Sequence, residues 1–296
     1  MIQDIGERCF DITYRAVEPE PGDYALAYQG SGTLLAEKDG RLVLPRVRDW
    51  TGGSAAGSQT VESLCLRYLF SVGDARFFLV DDAAIDTGAV ECPAGFVFAS
   101  IQTMRFYEPR WLAYAATAGM QLWRWYRNNR YCGRCGAELG HVATSRELVC
   151  PSCGNVVYPR INPCIIVGIC WGDRLLLTKF AQGRIKHYAL VSGFCEVGET
   201  LGQTIEREVM EEVSLRVSNL RFYKSQPWPF SDSLLMGFFA DVDGDPTAAH
   251  PDHVELSVAR WVRREDLPTS HEDTSSLTNE MIEVFARGEE PRGDAR

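Results

Sequence analysis

The sequence lacks a long apolar run and an excess of positive charge, and both absences narrow the possible functions. No stretch of the 296 residues approaches the ~18 consecutive apolar residues that a membrane-spanning helix requires. The N-terminal stretch carries acidic residues early and has no apolar core of the kind found in secretion signals. The net charge of −10 does not favour non-specific binding to nucleic acid or membranes. We therefore expect a cytoplasmic protein that does not bind membranes.

The chain is long enough for two or three domains, and its character changes twice. Short alternating apolar segments at 24–28, 41–44 and 76–80 predict strands, a glycine-rich segment at 51–58 predicts a loop, and 111–130 has helical composition. We predict an N-terminal α+β domain at 1–128, a cysteine module at 129–157 and a third domain at 158–296.

The third domain alternates strand-like and helix-like segments. The apolar run at 163–171 is typical of a strand buried on both faces, and Gly172-Asp173 predicts a hairpin turn into a strand at 174–178. Further strands are predicted at 220–224, 234–242 and 258–262, and helices at 200–213 and 276–286. This mixture predicts an α/β/α layered domain.

Four of the ten cysteines form two CxxC pairs, Cys132 with Cys135 and Cys150 with Cys153. In a chain without an export signal such pairs are typical of zinc ligands rather than disulfides. Four protein ligands close a tetrahedral site and leave no open position. We therefore predict a structural Zn²⁺ site, with glycines 133, 136 and 154 serving the tight turns.

A glutamate-rich helix carries the strongest chemical signal. Thr200 and Gln203 form a possible capping box, which starts a helix at that point. Glu208, Glu211 and Glu212 then follow at i, i+3 and i+4, so they share one face. Such like charges repel one another unless a cation lies among them, and a hard divalent cation with oxygen ligands suits the spacing. The apolar positions 205, 209 and 213 form a separate stripe that can pack on a sheet.

The segment from Gly193 to Leu215 resembles the Nudix box. That pattern is a glycine, five residues, a glutamate, seven residues and then R-E-U-x-E-E-x-G-U, in which U is an aliphatic residue. Every defined position matches except Ser214, which stands where the family has glycine. The resemblance implies a mixed α/β (α+β) fold: a Nudix α/β/α sandwich with a mixed sheet, preceded by a zinc ribbon and an N-terminal α+β domain.

The resemblance also implies roles for individual residues. Glu208, Glu211 and Glu212 are implied ligands of catalytic Mg²⁺ or Mn²⁺, and Glu199 with Arg207 is the implied supporting pair. The later segment His253–Trp261 is similar to one in which a glutamate adds a further ligand or base, a position that Glu255 fills. The main-chain carbonyl of Ser192 is a further implied ligand.

Ten residues past the box, the segment Ser225–Ser233 resembles the SQPWPF array of the NADH pyrophosphatase (NudC-type) subfamily, with Ser231 in place of a proline. That subfamily also carries a four-cysteine zinc ribbon, and Tyr158–Pro163 resembles its link to the Nudix domain. The resemblance implies that Phe194 stacks on the base and that Tyr158 reaches the substrate from the partner subunit of a homodimer. The predicted substrate-binding set is Tyr158, Phe194, Ser225, Gln226, Pro227, Trp228, Pro229, Phe230, Ser231 and Asp232.

Three functions follow from these residues. The first is hydrolysis of NADH or NAD to NMN(H) and AMP, with Glu211 or Glu255 taking the proton. The second is removal of an NAD cap from RNA, since the bond that is cut is the same. The third, from a different class, is a non-catalytic zinc-ribbon protein that binds RNA. Arginines 124, 127 and 130 before the zinc module could line one helix face, but the favoured interpretation is an amphipathic helix with its aromatic residues packed inward.

Overall fold

The structure is a computed structural model and describes residues 1–52, 59–181, 188–269 and 273–293. Residues 53–58 of the predicted glycine-rich loop therefore lie outside the described residues. The chain forms two compact units. One comprises Ile2–Arg160 with Pro229–Ser231, and the other comprises Met1, Ile161–Trp228 and Asp232–Arg296.

In the residues that the structure describes, the first unit contains three small sheets and one long helix. Its elements are β1 (Phe10–Asp11), β2 (Tyr24–Leu26), β3 (Tyr28–Gln29), β4 (Gly32–Lys38), β5 (Arg41–Val43), α1 (Val47–Thr51), β6 (Arg67–Val72), β7 (Ala75–Leu79), α2 (Asp82–Asp86), β8 (Val97–Ser100), α3 (Arg110–Asn128), β9 (Gly140–His141), β10 (Leu148–Val149) and β11 (Val156–Val157). The strand order is β1-β6-β7-β2 in one sheet, β3-β4-β5 with β8 on β4 in the second, and β11-β10-β9 in the third.

The predicted strand at 24–28 is divided between two of these sheets. β2 pairs in parallel with β7, whereas β3 pairs antiparallel with β4. Ala27 lies between the two strands and is buried. The alternating pattern predicted the extended backbone but not the change of partner, because pairing depends on residues distant in sequence.

The helix α3 buries its aromatic side. Trp123, Trp125 and Tyr126 are at most 9% exposed, and the helix ends within two residues of the predicted end. The amphipathic interpretation of this segment is confirmed.

The described part of the second unit contains a six-stranded sheet and two α-helices. Its elements are β12 (Asn162–Trp171), β13 (Arg174–Phe180), β14 (Val191–Phe194), α4 (Leu201–Val213), β15 (Arg216–Trp228), β16 (Ser233–Asp243), β17 (Leu256–Arg263) and α5 (Leu277–Arg287). The order is β15-β16-β12-β13-β17, with β14 also paired to β12. β12 and β16 are parallel and the other pairs are antiparallel, so the sheet is mixed, as predicted.

The alternation along β12 explains the layering of this unit. Ile165, Val167 and Ile169 pack in one core cluster with the α4 residues Ile205 and Val209. Cys164, Ile166 and Cys170 pack in a second cluster with the α5 residues Met281 and Phe285. Because successive strand residues point to opposite faces, one apolar strand holds a helix on each side of the sheet. The predicted α/β/α arrangement is confirmed.

The strand predicted at 220–224 is longer than its pattern indicated. β15 runs from Arg216 to Trp228, so the first four residues of the SQPWPF array are part of a strand rather than a loop. Pro227 lies opposite Leu234 in the pairing with β16. β15 is an edge strand, where a proline does not remove a ladder hydrogen bond from a second neighbour.

Helices long and apolar enough to cross a membrane are absent from the part of the chain that the structure describes.

The Phe239→Ala substitution should destabilise the second unit strongly. Phe239 is fully buried and makes ring contacts with Tyr223 and Phe285. Removing the ring leaves a cavity, so we expect the free energy of unfolding to fall by about 3–5 kcal/mol in urea denaturation. Val197→Ala, at a fully exposed position, serves as the control. Equal stability of the two variants would contradict this description of the core.

Candidate active site and zinc site

Arg207 lies at the centre of the Nudix-like segment and contacts four of its residues. Its Nε lies 2.7 Å from Glu199 Oε1 and its Nη2 lies 3.0 Å from Glu199 Oε2, a bidentate pair. Its Nη1 donates to Glu208 at 2.8 Å and to Glu211 at 3.1 Å. Its Nη2 also donates to the backbone carbonyl of Phe194 at 3.0 Å. One guanidinium therefore joins the loop before α4 to two of the three predicted ligand glutamates on that helix.

Glu199 is held by several donors besides Arg207. The backbone N–H of Glu196 and the hydroxyl of Thr204 lie 3.0 and 2.9 Å from its Oε2. The bonds from Arg207 and from these groups stabilise the ionised carboxylate and lower the pKa of Glu199 to about 2. Thr204 is fully buried and has no signal in the sequence that would have identified it as part of the site.

The start of α4 has the predicted capping box. The N–H of Gln203 lies 3.3 Å from the Thr200 hydroxyl, and the N–H of Thr200 donates to the Gln203 side chain at 2.9 Å. The capping box thereby fixes the residue at which the helix starts, and with it the face of the helix on which the glutamates lie. The prediction of a helix beginning at Thr200 is confirmed.

Gly193 gives Glu208 the space that it occupies. A Cβ atom at position 193 would lie 1.9 Å from Glu208 Cδ, so any other residue here would displace the Glu208 carboxylate from this position. Ser192, whose carbonyl is a predicted ligand, precedes it on β14 and pairs with Ile166 of β12. The glycine that begins the Nudix-like pattern therefore allows Glu208 of the helix to occupy this position.

Glu212 is the most deeply buried carboxylate of the site. It is 5% exposed, and among the described residues its Oε2 has no hydrogen-bond partner. Burial, followed by the charges of Glu208, Glu255 and other nearby acidic residues, raises the pKa of Glu212 to about 8. Burial likewise raises the pKa of Glu208. An unpaired buried carboxylate among other carboxylates is an environment that a bound cation would stabilise.

Glu255 lies on the segment before β17 and is exposed. Its carbonyl accepts the N–H of Ala181 at 2.8 Å, and its own N–H lies 3.1 Å from Asp252 Oδ2. The charge of Glu255 contributes to the raised pKa of both Glu208 and Glu212. The structure thus brings the four predicted ligand glutamates into one region, although sequence analysis did not identify Asp252.

The SQPWPF array contributes residues of unequal accessibility. Ser225 is exposed and Trp228 is half-buried against the core of the second unit. Gln226 is fully buried: its Nε2 donates to the Ser275 carbonyl at 2.8 Å, and its Oε1 accepts the N–H of Leu277 at 2.8 Å. Direct contact between Gln226 and a ligand would require these bonds to break, and its place in the substrate-binding set stays a prediction.

The remainder of the array forms a turn. Pro229–Ser231 is one turn of 3₁₀ helix, and Asp232 follows in the left-handed conformation, with φ of 54°. Pro229 is buried, Phe230 is half-buried and Ser231 is exposed. Ser231, which replaces the proline of the array, therefore lies at an exposed position of this turn.

Two predicted substrate-binding aromatic residues are exposed. Phe194 is 51% exposed at the end of β14, and Tyr158 is 65% exposed. A hydrogen bond with Glu147 raises the pKa of Tyr158. Each lies in a different compact unit and offers an uncovered ring.

The four cysteines of the predicted zinc site meet in space. Their sulfur atoms all lie within 4.8 Å of one another. In the part of the chain that the structure describes, no other group of three or more His, Cys, Asp or Glu side chains brings its ligand atoms so close together. The four thiols fit a tetrahedral metal ion, as predicted.

The two halves of the cysteine site repeat the same turn. The N–H of Gly136 donates to the Cys132 carbonyl at 2.8 Å, and the N–H of Gly154 donates to the Cys150 carbonyl at 3.0 Å. Both glycines have positive φ, 76° and 72°, where other residues are strained. Gly133 lies in the first turn, as predicted, but has no positive φ, so the backbone favours glycine specifically at positions 136 and 154.

The arginines of α3 and its end are engaged within their own unit. Arg127 lies 3.3 Å from Asp82, and Arg130 lies 3.8 Å from Asp81. Arg124 donates to the Pro229 carbonyl. These side chains do not form an uncompensated basic face.

Comparison with known proteins agrees with this geometry. Residues 163–284 match the NUDIX domain family, and residues 127–158 match the NADH pyrophosphatase zinc ribbon domain. The chain therefore contains a Nudix domain and a zinc ribbon domain of the NADH pyrophosphatase type.

Two curated relatives carry the name NAD-capped RNA hydrolase NudC. The chain is 45% identical to the protein from Pectobacterium atrosepticum over 153 residues, which cover 52% of this chain and 58% of that protein. It is 43% identical to the protein from Photorhabdus laumondii over 159 residues, 54% of this chain and 61% of that protein. The chain thus spans about three fifths of the length of the curated relatives it matches.

Among solved structures, a Nudix hydrolase from Nitrosomonas europaea is similar. The TM-score is 0.46 at 23% identity, and the match covers 53% of this chain and 90% of that one.

Cys150→Ser should release zinc. Removal of one of four thiolates opens the tetrahedral site, so we expect native mass spectrometry to lose the mass of one Zn²⁺ per chain and the thermal midpoint to fall. Cys9→Ser, at an exposed cysteine outside the cluster, is the matched control and should retain the metal. Zinc retained at full occupancy in Cys150→Ser would show that the four cysteines are not its ligands.

Glu199→Gln should remove a pH-dependent part of the stability. The pKa of Glu199 in the folded protein is about 2 against an ordinary 4.5, so the ionised carboxylate stabilises the fold above pH 4.5 and this contribution is lost as the pH falls toward 2. We expect the difference in unfolding free energy between wild type and Glu199→Gln to shrink through that window. Glu206→Gln, exposed on the same helix, should show no such trend. A difference that stays constant with pH would refute the assignment.

Proposed function

We propose that this protein is a divalent-metal-dependent hydrolase that cuts the diphosphate bond of NADH or NAD to give NMN(H) and AMP. The environment of Glu212 is the observation that carries the proposal. A carboxylate oxygen there is buried without a protein partner, and Glu208, Glu211 and Glu255 lie in the same region. A hard cation with oxygen ligands would compensate both the burial and the repulsion. The Nudix and NADH pyrophosphatase domain matches agree with this chemistry.

The residues that would hold Mg²⁺ or Mn²⁺ are Glu208, Glu211, Glu212, Glu255 and the carbonyl of Ser192. When bound, the cation would clamp the diphosphate, lower the pKa of a bound water and stabilise the charged transition state. Arg207 orients the carboxylates of Glu208 and Glu211 by donating a hydrogen bond to each. Its pair with Glu199 links both glutamates to the loop before α4. Either Glu211 or Glu255, both exposed, takes the proton of the attacking water.

Recognition of the nicotinamide nucleotide would come from exposed aromatic and polar groups. We assign the stacking of the base to Phe194, with Trp228 and Phe230 offering further flat surfaces and Ser225 a polar contact. Tyr158 would act across a homodimer, from the partner subunit. The homodimer and the cytoplasmic location that the sequence predicts stay predictions.

Glu208→Gln and Glu212→Gln should nearly abolish hydrolysis of NADH. Loss of a charged ligand removes several kcal/mol of stabilisation, so kcat/KM should fall by roughly 10²–10⁴-fold in Mg²⁺ or Mn²⁺. Mass spectrometry of AMP and reduced NMN measures the turnover directly. Glu206→Gln is exposed on the same helix and should retain wild-type activity. Full activity of the two ligand variants would refute the metal assignment.

A second candidate is removal of the NAD cap from RNA, which leaves NMN and a 5′-monophosphate RNA. It is favoured by the name that the curated relatives carry, NAD-capped RNA hydrolase NudC. The α3 arginines give it little support, since their partners lie within the protein. Measurement of kcat/KM for NADH, NAD and NAD-capped RNA decides between the candidates, and preference for ADP-ribose or nucleoside triphosphates would contradict both.

The non-catalytic RNA-binding interpretation is disfavoured. Its signature would be the loss of glutamates from the box, and all of them are present. Strongly salt-dependent RNA binding without turnover would restore that interpretation.

A further inference from the structure

The end of α4 carries an unusual residue for its conformation. Ser214 has φ of 56° and ψ of 31°, the left-handed conformation that glycine adopts with least strain. Its hydroxyl lies 3.1 Å from Nε2 of His250. Serine therefore makes a side-chain contact here that the glycine of the family pattern could not make.

His250 is oriented by a second contact of its ring. Nδ1 lies 2.8 Å from the Ala248 carbonyl, which can only accept, so Nδ1 carries the proton of that bond. In the neutral ring Nε2 is then free to accept the hydroxyl of Ser214, and in the charged ring it donates to that hydroxyl instead. The backbone N–H of His250 also donates to the Val213 carbonyl at 3.2 Å.

Further hydrogen bonds link the end of α4 to Glu255. The N–H of Asp252 donates to the Glu212 carbonyl at 3.0 Å. The Asp252 carboxylate in turn accepts the N–H groups of Glu255, at 3.1 Å, and Leu256, at 2.9 Å. Leu256 is 1% exposed in the core cluster of α4. Residues 248–256 are thus bound to the end of the glutamate helix at several successive points.

We infer that Ser214 and His250 are positioning residues that bind the segment 248–256 to α4 and thereby set the location of Glu255 relative to Glu212. This inference rests on the proposed function, because it is for a shared cation that the two carboxylates must be aligned. Ser214 and His250 act through Glu255 and do not themselves contact the metal or the substrate.

Ser214→Gly separates this role from a merely structural one, because stability and metal affinity should change in different directions. Glycine relieves the left-handed strain, so the thermal midpoint should stay the same or rise. The lost hydrogen bond should weaken Mn²⁺ binding by about two- to tenfold, measured by electron paramagnetic resonance of free Mn²⁺ without substrate. Asp39→Gly relieves similar strain at a distant turn, with φ of 53°, and should leave Mn²⁺ affinity unchanged.

Further variants test whether the two side chains act as a pair. His250→Ala should weaken Mn²⁺ binding as Ser214→Gly does, and the double variant should weaken it no further than either change alone. Ser214→Asn tolerates the left-handed conformation and keeps a donor, so it should restore affinity. Wild-type Mn²⁺ affinity in Ser214→Gly, or additive losses in the double variant, would overturn the inference.

Hydrogen exchange in the metal-free protein distinguishes failure of the inference from failure of the proposed function. The N–H groups of Glu255 and Leu256 should exchange faster in Ser214→Gly than in wild type. If wild type hydrolyses NADH but this exchange is unchanged, the inference is overturned and the proposed function stands. If exchange quickens but wild type neither binds Mn²⁺ nor cuts a dinucleotide, the proposed function fails and the positioning role for a cation fails with it.

Discussion

The arrangement of the candidate active site depends on the contact of Arg207 with Glu199. The bidentate pair places a guanidinium among carboxylates that would otherwise repel one another, with Glu208 and Glu211 as its further partners. Arg207 partly neutralises this acidic face, but it does not reach Glu212, whose Oε2 stays buried without a partner among the described residues. Arg207 therefore compensates part of the acidic cluster, and under the proposed function a cation would compensate the buried Glu212.

Packing and hydrogen bonds around the candidate active site hold its carboxylates in position. The capping box of Thr200 starts the helix, the apolar stripe of Ile205 and Val209 packs it on the sheet, and Gly193 admits the Glu208 side chain. Each of these features is local, yet all of them constrain the same few oxygen atoms. Geometry held by packing in this way costs little reorganisation when charge develops during a reaction.

Much of the second unit could be predicted from sequence because its signals are local. The apolar run of β12, the capping box and the glutamate spacing each predict a conformation within one turn or one strand. The CxxC pairs likewise predicted the cluster that the four sulfur atoms form. These signals are strong because few other arrangements satisfy the same residues.

The missed features depend on the direction in which a single polar side chain points. Thr204 supports Glu199, Asp252 holds the Glu255 segment, and Gln226 is buried between Ser275 and Leu277. An isolated threonine, aspartate or glutamine does not reveal whether it faces a ligand or the core. The SQPWPF array shows the same limit, since the predicted strand ended at residue 224 while pairing with β16 extends it through Trp228.

The most direct test of a glutamate-bound cation is anomalous diffraction at the manganese edge from crystals soaked in Mn²⁺. The account predicts a strong peak between the carboxylates of Glu208, Glu212 and Glu255, lost in crystals of Glu212→Gln. A peak confined to another part of the molecule, or an equal peak in Glu212→Gln, would contradict it.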